Sequence, residues 1–271
     1  MARTQGSWRL LVDGAHAGAE NMARDEALAL NASRGATLRV YRFEPPAITV
    51  GRFQRFPGGI DVRACALEGI EVVRRPTGGL AILHLNDFTY SVVAPAEGTG
   101  AVERDRHFDL IADSLVAALD NLGIEAVQAR HESRQVDSGD WCFQGVFGVD
   151  LEWRGRKICG SAQRLFAGSV LQHGSLFLSG PGDKPERISR CGATAVSEEA
   201  RFATLEEAAG RVVGWSEVLE AFKKGFVTAL GMALEPGEMG VEEAEEARRL
   251  AVAKYSNKRW LEGRERTGGP E

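Results

Sequence analysis

Apolar residues recur along this chain at two alternating periods, two and about 3.6, with no internal repeat, which predicts strands interleaved with helices. Trp8 to Val12 and Thr37 to Phe43 read as strands around a helical stretch from roughly Ala19 to Ala32, and Ile48 to Gly51 reads as a further strand. Phe108, Ile111, Leu115, Leu119 and Leu122 keep helical spacing up to Gly123, a common helix terminator. Gly148 to Trp153, the turn Arg154-Gly155 and Arg156 to Phe166 predict a hairpin, with Ser169 to Leu178 as the next strand. Beyond Gly180 the pattern turns helical. Leu219, Phe222, Phe226 and Leu230 share one face, Pro236-Gly237 interrupts, and an acidic-to-basic run from about Val241 to Tyr255 predicts another helix. The expected class is α+β (mixed α/β), with mixed sheets flanked by helices. Residues 1–210 are expected to form the main domain and 263–271 a frayed polar tail. Between them, 211–262 is a C-terminal helical appendage, short of an independent domain of about 100 residues.

Composition narrows the class. With 271 residues, 44% hydrophobic and 26% charged, the chain can bury one sizeable core. A formal net charge of -5 gives no basic footprint for nucleic acid. No leader-like N-terminus and no 18-residue uncharged apolar run is present, so a cytoplasmic protein away from membranes is expected. Cys65, Cys142, Cys159 and Cys191 are scattered without a CxxC pair, which points to reduced thiols. His16, His84, His107, His131 and His173 lack the close pairing of a zinc site, and no metal is expected.

Candidate chemistry concentrates in three places. Arg74-Arg75-Pro76-Thr77-Gly78-Gly79 sits between strand-like runs, where glycines let backbone NH groups approach a ligand beside two cations; a tight hairpin fits the same residues. A second block runs Gly155-Arg156-Lys157-Ile158-Cys159-Gly160-Ser161-Ala162-Gln163-Arg164 and continues through His173-Gly174-Ser175, with Lys157 either a site residue or a solvated strand lysine. Cys142 lies on a turn-prone loop between Trp141 and Phe143, where it suits buried packing as well as nucleophilic chemistry. His84 and His173 read as hydrogen-bonded pocket or core residues rather than acid/base catalysts. Cys65, Cys159 and Cys191 read as structural.

These blocks resemble the biotin/lipoate protein ligase catalytic-domain family, in which RRxTGG-x-A-x-x-H and GKKIxGSAQ wall one acyl pocket. The likeness extends to Trp8, Asn21 to Leu28, Val50 to Gln54 and Lys254 to Trp260. Within the family the chain is similar to the cysteine-dependent protein octanoyltransferases of Gram-positive type. There a Cys-Phe pair precedes the lysine strand at the separation seen between Cys142 and Lys157, fifteen positions (157 − 142). The resemblance implies an acyltransferase catalytic domain acting in protein lipoylation, with Cys142 carrying the acyl group and Lys157 as its catalytic partner. Arg74, Arg75, Thr77, Gly78, Gly79, His84, Gly160, Ser161, Ala162, Gln163 and His173 would line the substrate site. A cation beside Cys142 would lower its thiol pKa below the free value of about 8.5, and NH groups around Gly78-Gly79 or Gly160-Ser161 would hold the oxyanion.

The implied donor is octanoyl-acyl-carrier protein, or another lipoyl domain. The implied acceptor is a lysine of a lipoyl-domain protein, of the glycine cleavage H protein or dehydrogenase E2 type, with the enzyme a monomer. Neither ATP nor metal is required, because thioester to amide runs downhill. Two alternatives stand beside this reading: an ATP-dependent lipoate-protein ligase, and a non-catalytic relative that binds lipoyl domains. The biotin-type GRGRxxR signature is absent. Leu80, Leu85 and the run Gln144 to Gly148 depart from the family pattern and leave acyl length and donor open.

Overall fold

The chain places its polar and apolar residues on opposite faces of one large sheet, and that division positions the site. The computed structural model describes residues 7–32, 35–96, 101–131, 148–190 and 202–263; Cys142, Cys191 and the tail from 264 onward lie outside the described residues. In chain order the elements are β1 (Trp8–His16), α1 (Gly18–Leu30), β2 (Thr37–Phe43), β3 (Ala47–Val50), α2 (Val62–Leu67), β4 (Glu71–Arg74), β5 (Ile82–His84), β6 (Asp87–Pro95), α3 (Ala101–Asp120) and β7 (Val127–His131). There follow β8 (Gly148–Trp153), β9 (Arg156–Phe166), β10 (Ser169–Phe177), α4 (Lys184–Ile188), α5 (Leu205–Ala209), α6 (Trp215–Leu230), β11 (Leu234–Pro236), α7 (Val241–Leu250), a π-helical turn (Ala251–Tyr255) and α8 (Lys258–Leu261).

Eight strands form the large sheet in the order β11-β1-β2-β6-β10-β9-β8-β7, and three form a small one, β4-β3-β5. Pairing is parallel for β11–β1 and β1–β2 and antiparallel through the rest of the large sheet. In β6 the period-two alternation sends Phe88, Tyr90 and Val92 into a core built with Ile111, Leu115 and Leu119 of α3 and Val218, Phe222 and Phe226 of α6. Asp87, Thr89 and Ser91 emerge on the other face, equally buried, where they must be hydrogen-bonded. The second face is covered by α1, whose Met22, Ala23 and Ala27 pack with Tyr41 and Phe43, and the small sheet lies beside it.

Several expectations meet a different arrangement. The Thr77-Gly78-Gly79 turn does not close a hairpin: β4 and β5 lie on opposite sides of β3, so the loop crosses over that strand. Residues 211–262, read from sequence as an appendage, supply α6 to the main core, β11 to the large sheet beside β1, and α7 to the α1 layer. The helix expected from Phe108 starts at Ala101, because its first turns are polar and carry no apolar period. The hairpin around Arg154-Gly155 stands at the expected bounds; both turn residues have positive φ, 51° and 74°, as a two-residue type I′ loop demands.

Candidate active site

A register shift in β9 brings a lysine into the cleft. Leu151 pairs with Cys159 but Glu152 pairs with Lys157, so Ile158 is one extra residue, a β-bulge. Without it Lys157 would point to the same side as Cys159, into the core with α3 and α6. With it, Lys157 turns to the opposite face and sets Nζ 2.8 Å from Asp150 Oδ1, both side chains almost fully buried. Cys159 stays behind in the apolar core, where burial pushes its thiol up to about 12, so it is an inert neutral group.

Lys157 lines a cleft with about 580 Å³ of open space, its mouth included, together with Gly160, Ser161 and Ala162 of β9, His173, Gly174 and Ser175 of β10, and Arg75, Gly79 and His84. Met22, Tyr41, Phe43 and Ile82 give it apolar surface suited to an alkyl chain. Tyr90 reaches Ser161 Oγ at 2.6 Å from beneath and ties the Gly-Ser-Ala strand to the core.

Two histidines are held in the same way. His173 Nδ1 lies 3.0 Å from Asp25 Oδ2, and its Nε2 lies 2.6 Å from Thr77 Oγ1. A carboxylate only accepts, so Nδ1 carries the proton and Nε2 accepts from the Thr77 hydroxyl. Burial pushes the His173 pKa below its ordinary 6.5, against the pull of Asp25, and keeps the ring neutral. Burial alone would raise the Asp25 carboxyl, but Arg39 at 2.7 Å, His173 and Ser91 at 2.7 Å outweigh it and hold the group below the usual range. The second chain runs Asp87 Oδ2 to His84 Nδ1 at 2.6 Å and His84 Nε2 to Thr49 Oγ1 at 3.0 Å, with Phe43 stacked on the imidazole 4.0 Å away.

The two arginines of the opening motif do different things. Arg75 lines the cleft and gathers the carbonyls of Thr49, Gly78 and Leu80 at 2.9, 2.5 and 2.9 Å, which fixes the path of the glycine turn. Arg74 points away from the cleft and is spent on carbonyls: Gly51, Arg52 and Gln54 through Nη1, Trp260 and Leu261 through Nε. Trp260 Nε1 answers by donating to Arg74 O at 2.8 Å, so the strand β4 and the C-terminal α8 are clamped to the turn after β3. Gly51 lets the glycine turn pack against the end of β3: a Cβ there would sit 1.8 Å from Gly79 O.

Of the residues expected from sequence, Arg75, Gly79, His84, Lys157, Gly160, Ser161, Ala162 and His173 are brought to one cleft. Thr77 and Gly78 brace it through His173 and Arg75, and Gln163 turns to the other face and bonds Gln172 at 3.1 Å. Cys142 lies outside the described residues. Asp25, Thr49, Asp87 and Asp150 carry no site signal of their own in the sequence, although Asp25 falls within the Asn21 to Leu28 block and Asp87 lies three residues after His84. Among the described residues no three His, Cys, Asp or Glu side chains converge as metal ligands, and no helix is long and apolar enough to cross a membrane.

Known proteins match this chain over nearly its whole length. The sequence profile of the lipoyl protein ligase A/B catalytic domain covers residues 17–227. The octanoyltransferase LipM of Symbiobacterium thermophilum is 40% identical over 94% of this chain and 97% of its own length, and that of Bacillus subtilis is 32% identical over 94% and 97%. A solved lipoate-protein ligase A bound with ATP superposes with a TM-score of 0.81 at 24% identity, covering 95% of this chain and 99% of its own. A bi-partite lipoate protein ligase from Thermoplasma acidophilum superposes with a TM-score of 0.79 at 24% identity, covering 96% and 98%. The matched span contains every residue that lines the cleft, and the chain belongs to the lipoyl protein ligase A/B catalytic domain family.

Proposed function

We propose that this protein is an octanoyltransferase of protein lipoylation, moving an octanoyl group from a thioester donor to a lysine of a lipoyl domain through an acyl-Cys142 intermediate. The likeness to the LipM octanoyltransferases supports the activity. The observation that carries the mechanism is Lys157, a cation buried in an apolar cleft and held by Asp150, fifteen positions (157 − 142) after the cysteine.

The chemistry balances without ATP or metal. The Cys142 thiolate, which an ammonium such as that of Lys157 would favour, attacks the donor carbonyl; a new C–S bond forms, the bond to the carrier sulfur breaks, and the carrier thiol leaves with the proton that Cys142 released. The acceptor's neutral lysine amine then attacks the acyl-cysteine, an amide forms, the amine sheds its proton, and the Cys142 thiol is restored. Backbone NH groups near Gly79 or Gly160 would stabilise each tetrahedral oxyanion. His173, neutral and oriented by Asp25, and His84, oriented by Asp87, line the acyl site and order its walls.

The donor in this reading is octanoyl-acyl-carrier protein and the acceptor a glycine cleavage H protein or dehydrogenase E2 lipoyl domain. A solved relative from Thermoplasma acidophilum was studied with its E2 lipoyl domain, which supports that acceptor class. The experiment is direct: purified protein, octanoyl-acyl-carrier protein and an apo lipoyl domain, without nucleotide, with product read by intact mass. Octanoyl amide on the acceptor lysine is the expected result. Transfer that occurs only with ATP and free lipoate would make the protein a ligase instead.

A further inference from the structure

Strand β9 continues beyond the cleft wall. Ala162 lines the cleft, and Arg164, two residues on and so on the same face, carries its guanidinium over the Phe166 ring at 4.2 Å, with Nη1 3.5 Å from Pro76 O. Arg52 meets the next peptide of that segment, its backbone amide donating to Thr77 O at 2.8 Å. The π-helical turn after α7 adds Lys254, whose Nζ lies 2.8 and 2.6 Å from the two oxygens of Glu26, and Tyr255 donates to that carboxylate as well. Glu26 is thus taken by Lys254 and Tyr255, and the charges of Arg52, Arg164 and Lys254 act on one another. Arg164, half-buried, makes no ion pair among the described residues. Burial and the neighbouring Arg52 both press its charge downward, and Lys254 is depressed by burial despite Glu26.

We propose that Arg164, flanked by Arg52 and Lys254, is an anion subsite at the Phe166 end of the cleft wall that receives the phosphate ester of the acyl donor's pantetheine arm. A half-buried guanidinium on an aromatic face, with a second cation beside it, suits a multi-oxygen anion that accepts several N–H bonds at once. Lys157 and Arg164 are seven positions apart (164 − 157), roughly 20 Å along a bulged strand. An extended pantetheine arm is of that order, so a thioester beside Lys157 leaves its phosphate beside Arg164. This inference rests on the transferase reading, and phosphate is also the chemistry of an adenylate.

Calorimetric titration of the full chain with phosphopantetheine, pantetheine and AMP tests it without any acyl transfer, so its failure is distinct from failure of the transferase reading. Phosphopantetheine is expected to bind about tenfold or more tighter than pantetheine, the worth of a charge-assisted contact, and Arg164→Gln to reduce that ratio to within about twofold. Arg164→Lys should recover part of the ratio and Arg52→Gln should lower it, which separates charge from any loss of folded protein. A ratio near one in the wild type, or an unchanged ratio in both Arg164→Gln and Arg52→Gln, overturns the proposal. AMP binding as tightly as phosphopantetheine overturns the pantetheine assignment and gives the subsite to a nucleotide.

Discussion

Lys157 and Asp150 face each other 2.8 Å apart because β9 carries one residue more than β8 between their paired positions. The bulge converts a lysine that plain alternation would aim into the core with α3 and α6 into a cation of the cleft, beside Arg75. Asp150 lets that cation remain charged out of water, since an unpaired buried ammonium would shed its proton or move.

Removing either member of the pair has separable effects. Asp150→Ala is expected to destabilise the fold by about 3–5 kcal/mol, the usual cost of stranding a buried charge. The double variant Lys157→Met with Asp150→Leu should recover most of that stability while acyl transfer stays down about 100-fold or more, as for a lost transition-state contact. Denaturant unfolding and single-turnover transfer measure the two, and near-normal transfer in the double variant removes Lys157 from the mechanism.

Arg74 acts on architecture. Its five carbonyl contacts are divided between two nitrogens, Nη1 and Nε, where an ammonium offers one, so Arg74→Lys should lower stability by about 2 kcal/mol or more through carbonyls left unsatisfied. Hydrogen exchange should rise at the turn after β3 and in α8 together, because one side chain clamps both. Stability unchanged in this variant would show that Arg74 is not the clamp.

Gly51→Ala meets backbone, not a yielding side chain. The new Cβ falls 1.8 Å from Gly79 O, so the glycine turn must shift, at about 1–3 kcal/mol or more. Transfer should fall with it because Gly79 lines the cleft. A variant as stable and active as the parent contradicts the close approach.

Acid should loosen the cleft through His173. Its folded pKa lies below 6.5, so the unfolded chain binds this proton first, and the stability it contributes, whole above about pH 6.5, is lost as pH falls toward the folded value, at up to about 1.4 kcal/mol per pH unit. Asp25, also held low, adds loss in stronger acid as it protonates. His173→Gln should flatten the stability slope between about pH 5 and 7, measured by urea melts; an unaltered slope assigns the acid sensitivity elsewhere.

Local signals in the sequence carried much of the fold. The β8–β9 hairpin was legible because Arg154-Gly155 is a two-residue turn between alternating strands, and α6 because Phe222 and Phe226 repeat one turn apart. The role of α6 was not, since packing on α3 depends on residues a hundred positions away; Gly225, where a Cβ would meet Ala118 N at 2.4 Å, marks that contact only once the helices are placed. The cleft residues were legible through their motif blocks, yet their acidic partners were not. Asp25 and His173 stand 148 positions apart, and no spacing rule joins them. Nor does alternation alone reveal the bulge at Ile158, which decides where Lys157 points.

The central claim is that the acyl group rests on Cys142, and trapping it is the most direct test. Incubation with octanoyl-acyl-carrier protein without nucleotide or acceptor, followed by intact mass and peptide mapping, should show one octanoyl adduct on the peptide containing Trp141-Cys142-Phe143. Cys142→Ser should abolish the thioester adduct, and Cys159→Val, which replaces a thiol buried in the apolar core, should retain it. An adduct that maps to Cys159, or full transfer activity in Cys142→Ser, would contradict the acyl-cysteine mechanism.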